Sequence, residues 1–192
     1  QGVKPSCALP YQLYADGWLN GNDKTFHVKM EARNEIFGEQ SSGSPFNIYL
    51  PGKYAAAAKE QNKTGSFENT AGRSYAVAAG GSVTDSWPVH LFENELYHLR
   101  IYGPNGFFRE YRGNKNDPEL TVQCQYETNP LNSRELNGNV QLIIKSKTSH
   151  QSYRVKIRDY AYKGKPVTKQ LPPVNSSDAA IKIILYQHRS YG

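Results

Sequence analysis

The chain has 192 residues and a formal net charge of +6; 38% of its residues are hydrophobic and 12% aromatic, with 14 Tyr and a single Met. That is length for one large domain or two small ones, and a composition above the disordered range. No apolar run reaches the roughly 18 residues of a membrane-spanning helix. No secretory leader is visible from Gln1, and a mature chain would show none. Residues 1–133 carry 12 Lys and Arg against 14 Asp and Glu, and residues 134–192 carry 11 against 3, so the basicity belongs to the C-terminal third. Such a segment can seek anionic lipid or nucleic acid, or simply form a solvated face.

In chain order, "PYQLYADGWLNGNDKTFHVKMEARN" reads as two strands around the turn "LNGND". Phe26, Val28 and Met30 alternate with His27, Lys29 and Glu31, which makes one face apolar and the other polar. Phe46, Ile48 and Leu50 mark a further strand after a Gly/Ser-rich stretch. "KYAAAAKEQNKTGSFENT" is the one helical candidate, a turn or two at its Ala run, or a loop inserted between strands. "GRSYAVAAGGSVTDSWPVH", "LYHLRIYG", "GFFREYRG" and "ELTVQCQYE" return to strand alternation with glycine punctuation. The last places Leu120, Val122, Cys124 and Tyr126 on one face. Seven or eight short strands at this spacing imply an all-β, immunoglobulin-like β-sandwich.

The polar run "TNPLNSRELNG", residues 128–138, reads as a boundary. Beyond it "NVQLIIKSKTS", "QSYRVKIRDYAY", "VTKQLPP" and "AAIKIILYQHR" repeat the strand rhythm as a shortened echo of the first part. The organisation expected is a β-sandwich at 8–127 and a second, incomplete β-sandwich-like segment at 136–192.

Motifs for chemistry are missing. The sequence contains no P-loop, dinucleotide fingerprint, HExxH or GxSxG. Its five His, at 27, 90, 98, 150 and 188, have no metal-ligand spacing, and no cofactor is expected. Glu93 and Glu95 are a weak pair for acid–base work. Tyr153, Tyr160 and Tyr162 interleave with Arg154, Arg158 and Lys163, yet any half-exposed strand shows such alternation, so nucleic acid is not an expected partner. Cys7 and Cys124 are candidates for a disulfide holding down the N-terminal arm of a secreted chain; two free thiols are the alternative.

"SWPV" at 86–89 followed by "YHLRIYGPNGFFREYRG" at 97–113 resembles the accessory C-terminal domain of bacterial phosphocholine-preferring phospholipases C. "GRSYAVAAGGSVTDSW" at 72–87 and the opening at 10–13 are similar to it as well, and the resemblance covers 8–127. Residues 136–192 resemble the start of a second tandem copy, stopping just short of its "WYD"-type strand. The resemblance implies a secreted or periplasmic, metal-assisted phosphodiesterase as parent, with its metal ligands and nucleophile in an N-terminal catalytic domain, so that none falls on this chain. It implies a non-catalytic accessory module whose partners are that catalytic domain and, as a candidate, a phospholipid membrane surface. The alternative is an independent phospholipid- or carbohydrate-binding module, with Trp18 and Trp87 as aromatics for sugar, although Trp87 before Pro88 suits a core better.

The stretch 102–113 focuses the question. Pro104, Asn105 and Gly106 read as the turn of a hairpin, with Asn-Gly the strong pair and Pro104 presetting φ. Phe107 and Phe108 fall on opposite faces of a strand. Arg100, Arg109 and Arg112, with the two Phe, form a candidate anion- and surface-binding patch. The competing reading pairs the arginines with Glu110, Asp117 or Glu119 and puts one Phe and Tyr111 into the core.

Overall fold

The computed structural model describes residues 9–55, 67–148, 151–160, 162–174 and 180–185. Among these the fold is an all-β sandwich, as expected. Strands β1 (Leu13–Asn20) and β2 (Thr25–Ala32) form the first hairpin. Its tip is built by side chains that bond their own backbone: Asn20 Oδ1 accepts from the Asn22 N–H and Asp23 Oδ1 from the Thr25 N–H, both at 3.1 Å. β3 (Ser44–Ala55) pairs with β4 (Phe67–Val77), and β5 (Gly81–Pro88) returns to pair with β2. β6 (Leu96–Tyr102) and β7 (Phe108–Asn114) make the second hairpin. The Ala-run helix candidate lies mostly outside the described residues.

β8 (Leu120–Asn129) and β9 (Asn132–Ser146) form a long hairpin whose tip falls in the polar 128–138 run. Asn137 and Asn139 both donate to Glu127 there. β10 (Tyr153–Ile157) pairs with β11 (Val167–Leu171), and β12 (Ala180–Leu185) pairs with β9. The sheets are therefore β4-β3-β6-β7, β10-β11, and a six-stranded sheet β12-β9-β8-β1-β2-β5.

Two apolar clusters follow from the alternation. The first joins Leu13, Ala15, Leu19, Phe26, Val28 and Met30 of the large sheet to Phe46, Ile48, Leu50, Leu99 and Ile101 of the four-stranded one. Trp87 is fully buried within it, on the core side as the sequence suggested. Each fully buried residue of this kind contributes about 1.5–3 kcal/mol, so this cluster dominates stability. The second joins Ile144, Ile181 and Ile183 to Leu171, with Tyr153 and Val155 packed against it.

The two halves of the six-stranded sheet meet at β1 and β8 through a single registered pair, Gly17 with Val122. At this seam the Tyr111 hydroxyl reaches across from β7. It donates to the Ala15 carbonyl at 2.7 Å and accepts from the Gly17 N–H at 3.1 Å. Gly17 has no side chain because none fits: a Cβ there would lie 2.8 Å from Phe26 Cζ and 2.9 Å from the Tyr111 ring.

Candidate functional site

The β6–β7 hairpin turns at Pro104–Phe107. Asn105 (φ 56°, ψ 30°) and Gly106 (φ 78°) occupy the left-handed region, the signature of a type I′ turn. The Phe107 N–H donates to the Pro104 carbonyl at 3.1 Å, and the Gly103 N–H donates to the Phe107 carbonyl at 2.9 Å. Asn-Gly is thus the central pair, and Pro104 stands one place before it, as the first turn residue.

Strand parity then divides the sequence-derived patch. Leu99 faces Tyr111 and Ile101 faces Arg109 across the hairpin, which places Arg109 and Tyr111 on the core side. Phe107 joins that side, packing edge-on against Phe46 with centroids 5.8 Å apart. Phe108 is half-buried on the other side, against Tyr102 at 5.1 Å. Neither Phe is fully exposed.

Arg100 and Arg112 lie on the outer face and share one carboxylate. Arg100 Nε reaches Glu110 Oε1 at 2.8 Å and Arg112 Nη2 reaches the same oxygen at 2.9 Å. These donors, first Arg100 and then His98, hold the Glu110 carboxyl down at about 2. His98 Nε2 is 2.7 Å from Glu110 and 2.9 Å from Arg112 Nε; it can donate to the first or accept from the second, but not both at once. These two arginines are thus both paired within the hairpin, on a single carboxylate that offsets one of their two charges, and Asp117 is engaged by the Tyr97 hydroxyl and the Asn114 N–H. Glu93 and Glu95 sit in a short 3-10 turn, not on a strand, and pair separately with Lys53 and Lys115.

Arg109 is different. Its guanidinium lies 4.7 Å over the Phe107 ring and donates to the Phe108 carbonyl at 2.7 Å. It stands in a groove of about 820 Å3, within the size range of small-molecule sites. The wall is the hairpin, Pro104 to Tyr111; the floor is the β8–β9–β12 face, with Val122, Cys124 and Tyr126 beside Val140, Leu142 and Leu185. Burial pushes the Cys124 thiol and the Tyr126 hydroxyl up, and the Arg109 charge opposes both shifts. Cys7, the other half of the candidate disulfide, lies outside the described residues. Among the described residues no three His, Cys, Asp or Glu side chains gather as metal ligands, and no helix is long and apolar enough to cross a membrane.

The family model for bacterial phospholipase C, C-terminal domain, matches residues 5–114. The chain belongs to that family. It is also 29% identical over 159 residues to the hemolytic phospholipase C of Pseudomonas aeruginosa, an alignment covering 76% of this chain and 19% of that protein. The chain thus spans about a fifth of that relative's length. No solved structure matches it. The family match contains the whole β6–β7 hairpin, so the wall of the groove is a family element, whereas β8, β9 and β12, which supply most of its floor, lie beyond the matched residues.

The sequence reading missed the groove and the Tyr111 seam. Alternation in "LTVQCQYE" and "NVQLII" marked an apolar face, but nothing local shows that part of it stays uncovered.

Proposed function

We propose that this chain is a non-catalytic accessory module of a secreted or periplasmic bacterial phospholipase C that hydrolyses phosphodiester bonds of choline phospholipids. In this reading the module packs against the N-terminal catalytic domain and assists recognition through the groove side of its hairpin. In this reading residues 136–192 are a partial second copy, continuous with the first through the β8–β9 ladder. The observation that carries the reading is the internal pairing of the hairpin's polar groups. Arg100, His98 and Arg112 are spent on Glu110, and Tyr111 on backbone, which suits a scaffold more than a reaction centre. Two groups are left for recognition, Phe107 and Arg109.

The test compares the intact parent enzyme with a form lacking this module, and assays the isolated chain on a choline phospholipid. The expected result is turnover by the parent, reduced activity or stability in the truncated form, and none by the isolated chain. Measurable turnover by the isolated chain overturns the reading.

A further inference from the structure

Three features of the groove go unused by the packing of the sandwich. Its floor is apolar yet open: Val122 and Tyr126 keep 36% and 39% of their surface exposed. Its wall carries a cation that forms no ion pair among the described residues, although its neighbours Arg100 and Arg112 do. Asp16 feels the Arg109 charge from β1 but does not pair with it. Finally, the floor is the face of a sheet, whose backbone groups are already taken by the β8–β9 and β9–β12 ladders.

These features select among occupants. A peptide strand laid on this face would leave most of its own N–H and C=O groups without partners, at a cost, because beside the groove only the outer edges of β7 and β12 carry backbone left unpaired by the sheets of the described residues. A sugar needs several converging hydrogen-bond groups, whereas beside the Cys124 thiol, Gln125 and the Tyr126 hydroxyl the floor is lined by Val122, Val140, Leu142 and Leu185. An alkyl chain needs only apolar surface, and a single guanidinium suits a carboxylate or phosphate by paired N–H donors.

We infer that the groove binds a long-chain amphiphile with an anionic head, the carboxylate or phosphate on Arg109 and the chain over Val122, Val140, Leu142 and Leu185. This deepens the recognition role proposed above and rests on it. Phe107 orients the head group's partner, since its ring holds the guanidinium plane. The ligand comes either free in solution or from a bilayer.

The full chain, with Cys7→Ser so that Cys124 is the only thiol, is titrated with dodecanoate, dodecyl phosphate and neutral dodecanol below their aggregation concentrations. Binding is read by displacement of a fluorescent fatty acid and by protection of Cys124 from alkylation. We expect saturable binding of all three, with Cys124 protected. Arg109→Gln should weaken both anions by about tenfold or more, the loss of a charge-assisted hydrogen bond, and leave dodecanol unchanged. Val140→Glu, on the floor but away from the β1–β8 seam, should weaken all three, with its urea unfolding midpoint as the control on folding. Co-sedimentation with phosphatidylglycerol vesicles that depends on Arg109, without binding of the free amphiphiles, supports the same site with a bilayer source. No saturable binding in either arm overturns the inference, as does an equal effect of Arg109→Gln on dodecanoate and dodecanol. If neither the free amphiphiles nor the vesicles bind while the parent still needs the module, the inference falls and the accessory role stands.

Discussion

Tyr111→Phe tests whether the seam between the two halves of the large sheet is held by one hydroxyl. The substitution keeps the ring, which packs 5.3 Å from Phe26, and removes only the group bonded to Ala15 O and Gly17 N. Ala15 is 1% exposed and Gly17 is buried, so both backbone groups lose their partner away from solvent. A buried unsatisfied group costs about 1–3 kcal/mol. The groove beside the seam admits water to soften that loss, so a total near 2 kcal/mol is expected. In urea, with a slope of about 2 kcal/mol per molar, the unfolding midpoint should fall by about 1 M. Tyrosine and tryptophan fluorescence should report the same midpoint if unfolding is two-state. A midpoint within about 0.3 M of wild type would show that β1 and β8 are held by something other than this hydroxyl.

Glu110→Gln should destabilise the chain at pH 7. The wild-type carboxyl is held down at about 2 against an ordinary 4.5, so its contribution is full above pH 4.5 and is lost as pH falls toward 2. The cluster is exposed enough for screening to reduce the effect to about 1 kcal/mol or less; a gap between variants that persists unchanged at pH 2 would refute it. Asp16→Asn should act in the opposite sense. Burial pushes the Asp16 carboxyl up, so its ionised form opposes folding, and denaturation should show the variant more stable at pH 7 with the difference closing as Asp16 protonates in acid; a less stable variant at pH 7 would refute this. Gly106→Ala places a side chain at φ 78° and should cost about 1 kcal/mol by thermal unfolding, although nothing lies within 4 Å to clash with it. An unchanged transition would mean that the turn relaxes out of its left-handed pair.

Most strands were legible because half-buried strands write their two faces into alternate residues. "TFHVKMEA" and "LYHLRIY" bury Phe26, Val28 and Met30, and Tyr97, Leu99 and Ile101, as their period requires. The hairpin at Asn105-Gly106 was legible because few residue pairs tolerate two positive φ values in succession. Other features depend on contacts distant in sequence. Pro130 and its polar neighbours suit a linker and a hairpin tip equally, and only the Cys124–Leu142 and Val122–Ile144 pairings show that β8 and β9 run side by side. Tyr111 reads as one more core aromatic until its hydroxyl is found 96 residues away, on Ala15.

The same parity that makes the hairpin recognisable also separates its two jobs. Along β7, Phe108, Glu110 and Arg112 face outward and Arg109 and Tyr111 face the large sheet, so five consecutive residues contribute to two unrelated surfaces. The outer set closes on itself around Glu110. The inner set divides again: Tyr111 is consumed at the seam, and Arg109, one pleat nearer the turn, stands where the four-stranded sheet ends and the β8–β9–β12 face continues. An edge strand that stops short of the sheet it covers leaves apolar floor beside its last inward side chains. A cation in that position costs desolvation unless a counter-charge arrives, and the described residues provide none at pairing distance. Substituting Arg109 should therefore matter more to what the groove holds than to whether the sandwich folds, whereas substituting Tyr111 should do the reverse.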